Sequence, residues 1–235
     1  RILKRHGCEV LVHPEEECCG SVNQNLGQQN RAISLIKANV ARWSEIDKAA
    51  RLDGIIVNAS GCGSILKDYG FLLRNDHQIS KEAGKVSKLA CDITEFLERI
   101  GLNKTLVPRN LRVAYQSPCS MQHGQKVDRE PVGLLSACGF KVVEPKDRHL
   151  CCGSAGTYNI LQSEIADKLK ERKIEALSEL SPDIVASGNI GCIMQLSQAG
   201  GREMQHPIVH TVELLDWATG GPKPKLLDGV TLRVS

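Results

Sequence analysis

The chain has 235 residues, of which 41% are hydrophobic and only 3% aromatic, and its formal net charge is +3. This length suits one large domain or two small ones, and a charge this small does not indicate nucleic-acid binding. No run approaches the roughly 18 consecutive apolar residues of a membrane-spanning helix, and residues 1–5 are not followed by the apolar block of a secretory signal.

The predicted elements form two similar sets, which indicates an internal duplication. The first set begins with a helix end, a glycine stop and a strand over residues 3–12, and then reaches a Cys-Cys-Gly sequence at 18–20. Apolar residues at helical spacing follow through residues 33–46. A strand over residues 54–58 then leads into a Gly-Cys pair at 61–62.

The second set repeats this order and has an additional strand at its start. Residues 111–115 form that predicted strand and lead into Ser-Pro-Cys at 117–119. A helix end and a strand over residues 134–143 precede the second Cys-Cys-Gly sequence at 151–153. After a second helical pattern, the strand at 183–187 again leads into a Gly-Cys pair.

The opening strand of the second set has no counterpart in the first, where it would precede residue 1. We therefore expect the chain to begin inside its first repeat. Strands that alternate with long helices predict parallel βαβ units. The predicted fold is α/β, with two tandem Rossmann-like βαβ cysteine-rich repeats, parallel sheets and a first repeat truncated at its N-terminus. The predicted divisions are the incomplete first repeat (1–105), the second repeat (106–217) and a C-terminal tail (218–235).

Ten cysteines are the most informative residues of the sequence. Disulfide-dense proteins are usually small and secreted, so this longer chain without an export signal does not favour a disulfide framework. Cysteine thiolates are also ligands of iron–sulfur clusters and of zinc. Sites in parallel sheets form where strands end, so the cysteines of each repeat are expected at one end of its sheet. The predicted metal ligands are Cys119, Cys151, Cys152 and Cys192 in the second repeat, and Cys18, Cys19 and Cys62 in the first.

Adjacent cysteines favour a cluster over a single ion, because diverging side chains reach two corners of a cluster more easily than one zinc. Zinc sites also usually contain Cys-x-x-Cys, which this sequence lacks. A zinc site and purely structural thiols remain open alternatives at this point. Glycines beside the predicted ligands leave room for a cluster and free backbone N–H groups for its sulfurs. The predicted cofactor-binding glycines are Gly20, Gly61, Gly153 and Gly191.

Three cysteines lie outside the two ligand sets. Cys8 and Cys138 lie at helix-to-strand joins and are predicted to be core thiols, since a free cysteine packs as a small apolar residue. Cys91 lies outside the repeat pattern. None of the three is predicted to be a ligand.

The duplicated Cys…Cys-Cys-Gly…Cys pattern resembles the cysteine-rich CCG domain family. The residues around these cysteines are similar to those of the glycolate oxidase iron–sulfur subunits. The segments that carry this similarity are residues 117–126, 149–158 and 189–192 in the second repeat and 59–63 in the first. The resemblance extends to about Trp217.

The resemblance implies an electron-transfer subunit that does not act on substrate alone. It implies an iron–sulfur cluster of the [4Fe-4S] type, flavin-containing dehydrogenase subunits as partners that carry FAD, and a quinone as the downstream acceptor. It also implies a cytoplasmic location, with peripheral association with the inner membrane. Two alternatives remain open: a lactate-utilisation or heterodisulfide-reductase-type subunit, and a zinc-stabilised subunit-docking module.

Overall fold

The computed structural model describes residues 1–103, 111–197 and 204–228. The helices are α1 Ile2–Arg5, α2 Ser21–Asn25, α3 Gln29–Ala50, α4 Ser60–Leu72, α5 Ser80–Leu89, α6 Ile93–Ile100, α7 Glu130–Ala137, α8 Tyr158–Leu161, α9 Ser163–Ser178, α10 Ile190–Ser197 and α11 Thr211–Ala218. The strands are β1 Ile55–Val57, β2 Ala90–Asp92, β3 Arg112–Gln116, β4 Lys141–Val143, β5 Ile184–Ser187 and β6 Ile208–His210. A π-helix spans Ser120–Gln125 and a 3-10 helix spans Lys225–Leu227.

Both sheets are parallel, so the predicted α/β class is confirmed. The second repeat forms a four-stranded sheet in the order β4-β3-β5-β6, and the first forms a two-stranded sheet of β1 and β2. Val113 lies opposite Val142 on one side and Ile184 on the other. Because β3 and β5 have neighbours on both sides, they are buried along almost their whole length. Such strands read as continuous apolar runs in the sequence.

The predicted strand in residues 9–12 is wrong, because these residues adopt no strand conformation. Their counterpart in the second repeat, β4, pairs with β3 alone. The described part of the first repeat contains no counterpart of β3, so residues 9–12 have no parallel neighbour with which to exchange hydrogen bonds. They instead line a groove of about 960 Å³, whose opposite side includes Ile55 and Ile56 of β1.

The longest helices, α3 and α9, follow the two Cys-Cys-Gly sequences as predicted. Each buries one apolar face, which contains Val40 and Trp43 in α3 and Ile174 and Leu177 in α9. Charged residues cover much of the rest of both helices, as expected for helices at the surface of a globular protein. Across the described ranges, no helix is both long enough and apolar enough to cross a membrane.

The two repeats share one hydrophobic core. Leu97 of α6 is fully buried in the same cluster as Val113 and Leu214 of the second repeat. Leu227, within the predicted tail, is also fully buried there, so this part of the tail packs on the second repeat. The predicted boundary between residues 105 and 106 lies outside the described residues.

Candidate metal centre

Three chain segments carry the second group of predicted ligands to one end of the four-stranded sheet. Cys119 lies just beyond β3, at the start of the π-helix. Cys192 lies in the first turn of α10, directly after β5. Because β3 and β5 are parallel neighbours, the segments after their carboxyl ends meet. The loop between β4 and α8 brings Cys151 and Cys152 to the same place.

The four thiols of this second group lie close enough to interact. The Cys152 thiol donates a hydrogen bond to Cys192 Sγ at 3.1 Å. The Cys151 side chain interacts with those of Cys119 and Cys152, which lower its pKa. Cys152 and Cys192 are buried, Cys151 is half-buried and Cys119 is exposed. The structure therefore brings all four predicted ligands together, with one end of the group open to solvent.

Interactions between the sulfurs shift the pKa values of the group in opposite directions. The interaction between Cys119 and Cys151 lowers the pKa of Cys151 and raises the pKa of Cys119. Interactions with Cys151 and Cys192 raise the pKa of Cys152, and the hydrogen bond from Cys152 lowers the pKa of Cys192. Two of the four sulfurs are thus stabilised as thiolates. Metal binding would displace the remaining two protons, as it does when thiols become ligands.

Backbone and amide donors also reach the sulfurs of the second group. The N–H of Gly153 donates to Cys151 Sγ at 3.3 Å, and the side-chain amide of Asn189 donates to Cys192 Sγ at 3.4 Å. Gly153 has a φ of +92°, and a Cβ there would lie 2.4 Å from the carbonyl oxygen of Ala166 in α9. Only glycine therefore lets this loop lie against the helix and direct its N–H at the sulfur.

The other predicted glycines differ in how closely they are packed. A Cβ at Gly191 would lie 3.0 Å from Ser154 Oγ, so this glycine permits close contact between two ligand loops. Gly20 has a φ of +84° and lies against α3, with Ala32 O at 3.3 Å from the position of a Cβ. No atom lies within 4 Å of a Cβ built at Gly61. Tight packing therefore explains three of the four predicted glycines.

The first group of predicted ligands forms a smaller version of the same arrangement. The Cys19 thiol donates to Cys62 Sγ at 3.0 Å, and the Cys18 side chain interacts electrostatically with that of Cys62. The bond to Cys62 raises the pKa of Cys19 and lowers that of Cys62. Tyr69 is fully buried behind the group and donates to the backbone oxygen of Cys19 at 2.8 Å. All three predicted ligands are thus together.

Hydrogen bonds join the segments that carry the two groups. Ser60 Oγ lies 2.7 Å from Ser120 Oγ, and Ser64 Oγ donates to the Ser120 carbonyl at 2.8 Å. Gln125 of the π-helix donates to the Ser60 carbonyl at 3.0 Å. Ser60 precedes Cys62 by two residues, and Ser120 directly follows Cys119. The two candidate sites are therefore neighbours across the contact between the repeats.

The remaining cysteines stay apart from both groups. Cys138 is buried in the shared core, which confirms its prediction as a core thiol. Cys8 is half-buried and lines the groove beside β1, so its prediction as a core thiol is wrong. Without a neighbouring strand, the segment around it does not close over a core. Cys91 lies in β2, where burial raises the pKa of its thiol to about 11.

Sequence reasoning missed two buried polar residues behind the Cys-Cys-Gly loops. Asn39 of α3 is 1% exposed and donates to the Cys18 carbonyl at 3.1 Å. Lys173 of α9 is fully buried and donates to the Arg148 carbonyl at 3.0 Å. The available signal was a polar residue at the same place on each helix, within a largely apolar face that in α9 also contains the buried Lys170.

The sulfur pairs lie closer together than the ligand sulfurs of either a zinc ion or an iron–sulfur cluster, so these distances do not distinguish the two. Tetrahedral zinc, with Zn–S bonds of about 2.3 Å, separates its sulfurs by roughly 3.8 Å, whereas the sulfur pairs here are 3.0 and 3.1 Å apart. Within residues 1–103, 111–197 and 204–228, no group of three or more His, Cys, Asp or Glu side chains has the geometry of a single-ion site. The thiols must separate to hold a metal group. Chemically, four thiols with N–H donors beside them fit an iron–sulfur cluster.

Comparison with known proteins agrees with this arrangement. The profile of the cysteine-rich CCG domain matches residues 1–67 and 113–197, which include all seven grouped cysteines. The chain is 36% identical over 207 residues to the glycolate oxidase iron-sulfur subunit of Escherichia coli (strain K12), covering 88% of this chain and 50% of that protein. It is 30% identical over 221 residues to the probable glycolate oxidase iron-sulfur subunit of Bacillus subtilis (strain 168), covering 92% and 48%.

A third relative is lactate utilization protein A of Bacillus subtilis (strain 168). It is 24% identical over 219 residues, covering 92% of this chain and 89% of that protein. The chain thus spans about half the length of the two glycolate oxidase relatives and most of the length of the third. With both halves matched by the family profile, and with each half forming one thiol group, the chain belongs to the cysteine-rich CCG domain family.

Proposed function

We propose that this chain is an iron–sulfur electron-transfer subunit of a flavin-dependent dehydrogenase complex that oxidises glycolate or another 2-hydroxy acid. The observation that carries this proposal is the convergence of four thiols at the carboxyl end of one parallel sheet. Four cysteine thiolates are the usual ligand set of an iron–sulfur cluster. In this role the chain is a component of an oxidoreductase and does not itself act on the substrate.

The second group, Cys119, Cys151, Cys152 and Cys192, would hold a [4Fe-4S] cluster. When bound, that cluster carries one electron at a time. The buried Cys152 and Cys192 would hold the cluster on the protein side, the Gly153 N–H would remain directed at the Cys151 sulfur, and the exposed Cys119 would hold the side open to solvent. An open side suits electron exchange with another subunit.

The first group, Cys18, Cys19 and Cys62, would hold a second site with a fourth ligand from outside these three residues. Gly20 and Gly61, beside its cysteines, would leave room for the bound group. The contact between Ser60 and Ser120 supports a relay between the two sites, since it keeps their segments side by side.

The proposed partners are flavin-containing subunits that bind FAD and oxidise the substrate. A reduced flavin holds two electrons, so single-electron centres are needed to pass them on towards a quinone acceptor. The proposed location is the cytoplasm, at the inner membrane. This part of the proposal is supported by two relatives that are named as glycolate oxidase iron-sulfur subunits.

Two further parts of the proposal concern organisation and substrate. The division into a first repeat (1–105), a second repeat (106–217) and a tail (218–235) is supported by the two separate family matches. The lactate utilization relative, which matches over 89% of its own length, supports lactate as the alternative substrate of the complex. A zinc-stabilised docking module is the non-redox alternative.

Anaerobic purification, iron and sulfide analysis, and EPR spectra before and after dithionite test the cluster. We expect a brown protein with a reducible signal that Cys192→Ser diminishes. The control Cys138→Ser removes a buried thiol of the shared core and should leave the signal unchanged. A colourless protein with stoichiometric zinc would instead establish the docking module. Mixing with flavin subunits and either glycolate or lactate, and following cluster reduction, identifies the substrate.

A further inference from the structure

The two repeats place a different residue at one equivalent buried position. Gly20 lies against the carbonyl oxygen of Ala32 in α3, and Gly153 lies against that of Ala166 in α9. These two contacts align the helices behind the two Cys-Cys-Gly loops. Seven residues beyond each alanine, the first repeat has Asn39 and the second has Lys173. The two side chains are 1% and 0% exposed.

Both side chains support the backbone of a ligand loop, but only one carries a charge. The Asn39 amide donates to the carbonyl of Cys18 at 3.1 Å. The Lys173 ammonium donates to the carbonyls of Arg148 at 3.0 Å and Asp147 at 3.5 Å. Carbonyl oxygens satisfy the N–H groups of an ammonium without neutralising it. Among the described residues, Lys173 forms no ion pair with a carboxylate.

The neighbouring cations, in contrast, are paired. Arg148 forms ion pairs with Asp128 and with Glu144. Lys170, one turn earlier in α9 and 3% exposed, lies 3.2 Å from Asp167. Within residues 1–103, 111–197 and 204–228, Lys173 is therefore a buried cation beside the second thiol group that has no carboxylate in direct contact.

Lys173 interacts with the thiol group electrostatically. Burial lowers the pKa of Lys173, while the thiolates of Cys152, Cys192 and Cys151 act in the opposite direction and favour its charged form. The same interaction favours the thiolate forms of Cys151 and Cys192. A buried cation and several thiolates thus stabilise one another in surroundings from which water is largely excluded, where charge interactions are strong.

We propose that Lys173 makes the two sites electrostatically unequal, because its ammonium stabilises the reduced, more negative state of a cluster held by the second thiol group. Asn39, being neutral, cannot do this for the first group. The inference rests on the proposed function, since it requires a cluster at Cys119, Cys151, Cys152 and Cys192. Lys173 is a positioning residue that touches no ligand or reacting atom. It raises the reduction potential of the second site above the value that site would have without the buried charge.

The test measures the midpoint potential of the second cluster by EPR-monitored redox titration of the full chain. The signal of that cluster is the one that Cys192→Ser abolishes. Three variants are compared: Lys173→Met removes the charge, Lys173→Gln removes the charge but keeps an N–H donor, and Lys173→Arg keeps the charge. Lys170→Met is the matched control, because it removes a buried lysine of the same helix that is already paired with Asp167.

At the wild-type midpoint potential, we expect the ratio of reduced to oxidised cluster to fall about tenfold in Lys173→Met and Lys173→Gln, the scale of one partly screened charge. Lys173→Arg and Lys170→Met should stay within about threefold of the wild type.

Neutral variants that bind the cluster with an unchanged ratio overturn the inference. If Lys173→Met and Lys173→Gln both lose the cluster, a cluster that Lys173→Arg still binds supports the need for the charge. Loss of the cluster from all three variants overturns the inference. A wild-type chain that assembles no cluster refutes the proposed function itself, before any variant is compared.

Discussion

Replacing Gly153 by alanine should destabilise the protein more than any other single-methyl change in the ligand loops. Its φ of +92° is unfavourable for an L residue by about 1–2 kcal/mol. The added Cβ would lie 2.4 Å from Ala166 O, a backbone atom that cannot rotate away. Overpacking of this kind costs about 1–3 kcal/mol. The two effects together lower the free energy of unfolding by about 2–5 kcal/mol.

Gly20 offers a matched control within the same chain. Its φ of +84° imposes the same backbone strain, but a Cβ there would lie 3.3 Å from Ala32 O, a tight contact that small shifts can relieve. Gly20→Ala should therefore lower the free energy of unfolding by only about 1–2 kcal/mol. The difference between the two variants isolates the steric clash with α9.

Urea unfolding of the metal-free, reduced proteins, followed by circular dichroism, measures both changes. The slope of the transition must agree between variants for the comparison to hold. If Gly153→Ala were no more destabilising than Gly20→Ala, the loop would not be held against α9 as described, and the argument for the Gly153 N–H as a fixed donor to Cys151 would fail.

Three further predictions concern other parts of the fold. Burial raises the pKa of Asp92 from 3.8 to about 6, so the folded state retains a proton that the unfolded state releases. The contribution of Asp92 to the free energy of unfolding is therefore greatest below pH 4 and falls by up to about 3 kcal/mol as the pH rises through 6. Asp92→Asn, which keeps an acceptor for the Thr94 N–H, should remove this slope between pH 4 and 7, and a slope that persists would contradict the assignment. A double-mutant cycle of Ser60→Ala and Ser120→Ala should give a coupling energy of about 1 kcal/mol in urea unfolding, and additive effects would show that the repeats do not depend on this contact. Leu227→Ala should cost about 2–5 kcal/mol, and a change below about 0.5 kcal/mol would mean that the 3-10 helix of the tail does not pack on the core.

The sequence predicted those elements whose signal is local. The strands at 111–115 and 183–187 are short apolar runs, and parallel order follows from their alternation with helices. Because each follows a strand, Cys119 and Cys192 were expected at the same end of the sheet. That their strands are direct neighbours, so that the two cysteines meet, is shown by the structure.

Features that depend on a distant partner were not predictable in this way. The segment at 9–12 has a strand-like sequence, but a strand forms only beside another strand. The π-helix at Ser120–Gln125 packs on α4, where Ser120 contacts Ser60 and Ser64. Lys173 was missed because a lysine in a charged helix is normally exposed, and its burial follows from the way α9 lies behind the ligand loop.

The open side of β1 has a consequence for handling the protein. Among the residues that the structure describes, β1 pairs with β2 alone, and its Ile56 lines a groove together with Val10 and Phe96. An unpaired edge presents a row of N–H and C=O groups to any extended segment that reaches it, including one from another molecule. We therefore expect concentrated solutions of residues 1–235 to self-associate, reversibly at first, through this apolar edge. Light scattering should show the association weakening on dilution, and colloidal stability should be limited by β1 rather than by the net charge of +3.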